Sequence, residues 1–236
     1  MTSGDAERLL QGAWIADLPL KTRARLASAA RLRELKDGEA VFRAGDPPDG
    51  LFGVIDGQVR LILHSAAGQP LLNHLAEAGD WFGEISTLDR QPRLNEAICS
   101  GPTRIAHVRQ DEAERLMREE PEILRALATL AARHHRAAVA FAARALMQPL
   151  GAQVAYALLS LARKARRRDG SGRLYVRQED VASMLGVSRQ AVAVQLRSLR
   201  DRGAIALGYG AIEVRDQARL EAAAALHDGP AQLTRR

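Results

Sequence analysis

Residues 122–148 read EILRALATLAARHHRAAVAFAARALMQ, a run with no glycine or proline between Pro121 and Pro149. Pro121 suits the first turn of a helix, where its missing N–H is no loss, and Pro149 marks the stop. Ile123, Leu127, Leu130, His134, Ala137 and Phe141 recur at three- and four-residue spacing, a single stripe along one face. At 1.5 Å per residue such a helix is roughly 40 Å long, more than one small domain can cover. The remainder of the stripe therefore needs a partner. Either a second copy of the same helix lies against it, or the C-terminal part of the chain folds back over it.

Ahead of the helix, from Asp37 to Val108, the chain consists of short apolar or alternating runs such as GLFGVIDG and QVRLILHSAAG. Gly38, Gly45, Gly50, Gly57, Gly68, Gly79 and Gly101 punctuate them at roughly the 8–12-residue interval of a β-sandwich or barrel. In VRLIL, Val59, Leu61 and Leu63 share one face and Arg60 and Ile62 the other. This half is expected to be β. After Pro149 a further helix (AQVAYALLSLARKARRR) ends in a cationic run and the loop Asp169-Gly170-Ser171-Gly172.

The net charge of +6 is unevenly distributed. Residues 147–219 hold 13 Lys and Arg against 6 Asp and Glu, whereas residues 1–146 hold 19 against 20. A basic C-terminal third points to an acidic polymer, nucleic acid before an anionic membrane surface. QEDVASMLGVSRQAVAVQLRSLRDRG in that third reads as two helices about a tight turn. Val181 and Leu185 face inward on the first; Gly186 supplies the turn; Ser188 caps the second. On the second helix Val192, Leu196 and Leu199 point inward, Arg189, Ala193 and Arg197 outward, with Gln190 and Val194 on the adjoining strip. This is the layout of a helix-turn-helix, whose second helix enters the major groove. A plain αα-hairpin has the same pattern, but here IALGYGAIEV follows as a small hairpin, or wing, with Gly208-Tyr209-Gly210 at its tip. Arginine pairs with guanine and glutamine with adenine through bidentate contacts.

One further segment has chemistry in it: GEISTLDRQPRLNEA, residues 83–97, with Glu84 nine positions before Arg93. The spacing fits an anion pocket with a carboxylate beside it to accept from a hydroxyl. Other functions find little support in the residues. Hydrophobic content of 47% and charged content of 26% are those of a globular protein, and no apolar run reaches membrane-spanning length. The N-terminus lacks a signal-peptide pattern, and the cytoplasm is the expected location. A single cysteine, Cys99, excludes a disulfide framework within the chain. His64, His74, His107, His134, His135 and Cys99 have no spacing that would hold haem or a metal, so neither is expected. There is no nucleophile–base arrangement and no phosphate loop, so the chain is not expected to be an enzyme.

On GDWFGEISTLDRQPR and QEDVASMLGVSRQAVAVQLRSLRDRGAI, the sequence resembles the bacterial transcription factors of the cyclic-AMP receptor protein and fumarate–nitrate regulator (CRP/FNR) superfamily, from about Leu18 to Asp216. The resemblance implies an α+β chain: a cyclic-nucleotide-binding-like β-roll (jelly roll) over 1–110 and a dimerisation helix over 111–147. A winged helix-turn-helix over 148–222 completes it, and the last residues, 223–236, read from their own composition as a frayed alanine-rich helix and a disordered tail. It implies a homodimer joined through the helix around 121–147, double-stranded DNA with a pseudo-palindromic operator, RNA polymerase as a further partner, no membrane, and allosteric control. By the resemblance Arg189, Gln190 and Val194 sit where bases are read, and Ser188, Ala191 and Arg197 where the DNA backbone is touched, with Gly208 and Tyr209 in the wing. Gln190 and Val194 depart from the acidic residue and arginine common there, which changes the expected operator.

The resemblance also makes residues 83–97 a phosphate-binding cassette formed by Gly83, Glu84, Ile85, Ser86, Arg93 and Leu94, with Glu84 on the ribose 2′-hydroxyl and Arg93 on the cyclic phosphate. Three departures argue against cyclic AMP. Leu94 replaces a small or hydroxylated residue, and Asn95-Glu96 replaces Ala-Thr. On the helix, Ala138 and Val139 stand where purine-binding hydroxyls are expected. The pocket is expected to hold a small anionic ligand other than cyclic AMP, a cyclic nucleotide, or no ligand, with Arg93 satisfied by Glu84 or Glu96.

Overall fold

The computed structural model of the chain describes residues 3–10, 14, 15, 18–66, 68, 70–169, 173, 174, 176–208 and 211–225. They form two compact units, Met1–Ala138 and Val139–Arg236, each taken here by itself.

The first unit is a β-roll with helices on one side. Its elements are α1 (Ser3–Leu9), α2 (Leu20–Ala29), β1 (Arg31–Leu35), β2 (Ala40–Phe42), β3 (Gly50–Asp56), β4 (Gln58–His64), β5 (Pro70–Glu77) and β6 (Trp81–Phe82). They continue with α3 (Glu84–Asp89), β7 (Glu96–Cys99), β8 (Thr103–Arg109), α4 (Gln110–Glu119) and α5 (Pro121–Met147). Two antiparallel four-stranded sheets have the orders β1-β8-β3-β6 and β2-β7-β4-β5. GLFGVID is apolar on both faces because β3 is an inner strand, and all its residues but Asp56 are buried. Gly57 turns the chain from β3 into β4 with φ +84, and a Cβ there would lie 2.6 Å from Pro102 O. β4 buries Val59 and Leu61 as the alternation predicts, but a register shift between Leu61 and Ile62 interrupts its pairing with β5.

Side-chain alternation gives the unit two cores. Phe82 packs inside the roll with Phe52 (5.5 Å between ring centroids) and Phe42 (6.0 Å). Its neighbour Trp81 faces the opposite way, edge-on to Trp14 at 5.6 Å, in a core closed by Leu9, Ile15, Leu26, Leu116, Ile123 and Leu127. Trp81 Nε1 donates to Leu9 O at 3.1 Å, so α1 is fixed by a buried hydrogen bond as well as by apolar contact. The helices α1 and α2 carry no periodic signal strong enough to have been expected from the sequence. α2 is held instead at the α4–α5 junction, where Thr22 Oγ1 donates to Glu120 (2.9 Å) and Glu122 (3.2 Å) and Arg25 pairs with Glu119 and Glu120. The long helix exists as expected, but its stripe is buried only at Ile123, Leu127 and Leu130; no residue from 131 to 147 is buried.

The second unit comprises α6 (Leu150–Asp169), β9 (Arg173–Leu174), α7 (Gln178–Leu185), α8 (Arg189–Asp201), β10 (Ile205–Gly208), β11 (Ala211–Val214) and α9 (Gln217–Ala225). The expected hairpin is present and gains a third strand, in the order β10-β11-β9. One core joins Val154, Leu158, Val181, Val192, Leu196, Leu199, Ile205 and Leu220. α9 runs to Ala225 and buries Leu220 and Ala223; residues 226–236, the rest of the expected frayed helix and tail, lie outside the described residues.

A Cβ on Gly53 would lie 2.7 Å from both Leu9 Cδ2 and the Trp81 ring, between α1 and the roll. Gly53→Ala is expected to lower stability by about 1–3 kcal/mol through overpacking, read from the urea midpoint with the m-value unchanged.

Candidate functional site

The cassette begins where β6 ends. Gly83, at φ +90, turns the chain into α3; a Cβ there would meet Arg93 Nη1 at 2.9 Å and Gly50 O at 3.1 Å. The chain returns at Arg93, whose N–H donates to Asp46 O while its own carbonyl accepts from Gly45 N–H, both at 2.8 Å. Arg93 then reaches inward. Its Nη1 donates to Gly83 O (2.9 Å), and Nη2 to Gly50 O (2.7 Å) and to Asp49 Oδ1 (2.6 Å). The guanidinium carbon lies 4.4 Å from the centroid of Phe42, and the side chain is 1% exposed. A buried cation needs this enclosure of acceptors and aromatic faces. One donor remains over, since Arg93 Nε is buried without a partner. His107 supports the arrangement: Nε2 lies 2.9 Å from Asp49 O, and its ring stacks on Phe52 at 4.5 Å.

Glu84, also buried, points to the long helix, with Oε1 2.7 Å from His134 Nδ1. The His134 ring centroid is 5.6 Å from that of His74 on β5. Ser86 is buried and its Oγ donates to Pro92 O at 3.4 Å, whereas Ile85 and Leu94 present their side chains to solvent. Ala138 and Val139 are exposed on α5. Two expectations change. Arg93 is satisfied by Asp49 and two carbonyls, not by Glu84 or Glu96, because Glu96 on β7 lies beside β4, with Oε1 3.5 Å from His64 Nε2. Leu94 does not line the pocket, since it faces outward.

Asp49 and His134 were missed as site residues. Asp49 sits in an ordinary turn sequence, Pro47-Pro48-Asp49-Gly50, with nothing local to tie it to an arginine 44 positions away. His134 did carry a signal, as the one polar side chain in the stripe Ile123, Leu127, Leu130, His134. Cys99 is buried, and desolvation raises its thiol pKa. Among the described residues no group of three or more His, Cys, Asp or Glu is placed to hold a metal ion.

In the second unit Gly186 takes φ +64 to end α7, and Val187 N–H donates to Ala182 O at 3.1 Å. Ser188 caps α8 by accepting from Ala191 N–H at 3.2 Å. Val192, Leu196 and Leu199 anchor the inner face, leaving Ser188, Arg189, Gln190, Val194 and Arg197 exposed and Ala191 partly so. Arg189 Nη1 stands 3.8 Å from Glu179 Oε1. Gly208 ends β10 in solvent; Tyr209, expected in the wing, lies outside the described residues.

The family model for the cyclic nucleotide-binding domain matches residues 32–120, and that for the Crp-like helix-turn-helix domain matches residues 152–223. The cyclic AMP receptor protein of Thermus thermophilus is 34% identical over 185 residues, covering 78% of this chain and 83% of that protein. The CRP-like cAMP-activated global transcriptional regulator of Mycobacterium tuberculosis is 30% identical over 187 residues, with the same coverage of 78% and 83%. Among solved structures, the c-di-GMP-responsive global regulator CLP of Xanthomonas campestris superposes with a TM-score of 0.72 at 20% identity, over 83% of this chain and 99% of that one. That likeness is one of fold.

Asp49→Ala strips the counter-charge from a buried guanidinium. Because Asp49 itself is half-exposed, the expected loss is about 2–4 kcal/mol, at or below the usual cost of breaking a buried pair. Chemical denaturation checks it, and Glu96→Ala, which leaves Arg93 untouched, is expected to cost less than about 1 kcal/mol.

Proposed function

This chain belongs to the CRP/FNR family of transcriptional regulators, and from that membership we propose that it acts as a homodimer on a pseudo-palindromic DNA site, switched by a small anionic ligand other than cyclic AMP. The observation that carries the DNA reading is the outer face of α8, where Ser188, Arg189, Gln190, Val194 and Arg197 are exposed together over a fully anchored inner face. Arg189 and Gln190 read bases, Ser188, Ala191 and Arg197 meet phosphates, and Gly208 with Tyr209 forms the wing contact. Dimerisation through the helix around 121–147 is supported by its uncovered apolar side chains, Leu124, Val139, Leu146 and Met147. In this reading residues 1–110 sense, 111–147 pair, and 148–222 bind DNA in the cytoplasm, with RNA polymerase as a further partner. The relatives are transcriptional regulators, and no catalytic role is proposed.

The unpartnered Nε of Arg93 supports an anion in the cassette, because a ligand oxygen would satisfy a donor whose isolation costs about 1–3 kcal/mol. Glu96 is engaged near His64 and does not oppose that charge. Against a purine, Ala138 and Val139 have no side-chain hydrogen-bonding groups. A second reading, cyclic AMP itself, is favoured by the 34% identity to the Thermus cyclic AMP receptor protein.

Gel shift against genomic fragments is expected to retard a subset, and no retarded fragment at low salt would overturn the DNA reading. Arg189→Ala should relax base preference at one position per half-site by about 1–3 kcal/mol, whereas Arg197→Ala should reduce the salt slope by about 1 per half-site. In a thermal-shift screen of cyclic nucleotides and small anions, 1 mM cyclic AMP is expected to move Tm by less than about 1 °C. A rise of about 5 °C or more would establish the cyclic-nucleotide reading instead.

A further inference from the structure

The carboxylate of Glu84 is already taken. Its side chain is 4% exposed, its Oε1 lies 2.7 Å from His134 Nδ1, and the imidazole reaches it from another element of the same unit. The His74 ring of β5 lies beside it, 5.6 Å between centroids, with His74 Nε2 3.8 Å from Asp80. A buried carboxylate bonded to a positioned imidazole has one of its two oxygens already engaged. A ligand hydroxyl arriving at Glu84 would have to displace that imidazole or settle for a weakened acceptor. Arg93 is in the opposite condition, with a buried donor left over. The two polar ends of the pocket are therefore unequal: one lacks a partner and the other has its own.

We propose that His134 is a positioning residue that sets the ligand class of this pocket, withholding Glu84 from the ligand so that selection rests on an anionic group at Arg93 and not on a hydroxyl. This rests on the reading of the cassette as a ligand site and sharpens it: the ligand is a compact anion for which a hydroxyl adjacent to the anionic group contributes no affinity. His134 acts on the ligand through Glu84. Removing the imidazole leaves Glu84 buried and unsatisfied, and a ligand hydroxyl then recovers what the imidazole supplied.

The probes are cyclic AMP and 2′-deoxy cyclic AMP, which differ by one hydroxyl, titrated by calorimetry into the full chain. The wild-type protein is expected to hold cyclic AMP no more than twofold tighter than the deoxy compound. His134→Ala and His134→Leu, the second keeping bulk without an N–H, are expected to bind cyclic AMP at least fivefold tighter than the deoxy compound. His134→Gln, whose amide can still donate to Glu84, is expected to return to the wild-type ratio, which a merely structural histidine would not require. A fivefold preference already present in the wild type overturns the proposal, as does its absence from both folded His134 variants. Arg93→Gln in the His134→Ala background separates this from the underlying reading. In a variant whose urea transition shows it folded, loss of cyclic AMP binding by more than tenfold keeps the cassette as the ligand site; unchanged binding removes it.

Discussion

The sensor unit is organised around one buried cation. A guanidinium removed from water must be surrounded by acceptors, and Arg93 draws them from places far apart in sequence: Asp49 and Gly50 O at the head of β3, and Gly83 O at the turn into α3. Two glycine turns border the enclosure, one fixed by the neighbouring strand and the other by Arg93 itself. Gly50 has φ +126, and a Cβ there would lie 2.0 Å from Val108 O; Gly83 has φ +90, and a Cβ there would press on Arg93 itself. Phe42 from the other sheet closes over the guanidinium at 4.4 Å, so the cation ties both sheets of the roll to the cassette. The enclosure gives both Nη atoms acceptors and leaves Nε buried without a partner.

The fold was legible wherever periodicity and turn residues agree. GLFGVID, the Pro121–Pro149 run and the SRQAVAVQLRSL helix each signal their element twice, by pattern and by boundary, and each forms. What stayed hidden depends on distant partners. α1 and α2 are short, and they are fixed by Trp81, Glu120 and Glu122, residues that local sequence cannot connect to them. The two-residue strand β9 is too short to show a period and exists only because β11 pairs with it.

The candidate sites divide in the same way. The exposed face of α8 was legible because a helix fixes which residues point outward once the anchors Val192, Leu196 and Leu199 are known. The cassette was legible as a frame, Gly83, Glu84 and Arg93, but not in its pairings. A sequence lists two carboxylates near Arg93 and gives no reason to prefer Asp49, which lies 44 positions away. Strand register decides it: Glu96 sits opposite Ile62 on β4, a position that leads its side chain to His64.

The long helix joins these observations into a physical argument about control. Up to Leu130, α5 is held by the apolar core of the sensor unit. From 131 to 147 no residue is buried, and 8 of those 17 residues are alanine, which favours helix without burying much surface. Within a single chain that stretch is supported mainly by propensity, so each contact made along it, a partner copy's included, carries weight. His134 is one of the few side chains in this stretch with a polar anchor, and the anchor is Glu84, the acidic residue of the cassette. One imidazole–carboxylate contact thus joins the cassette to the helix within the first unit.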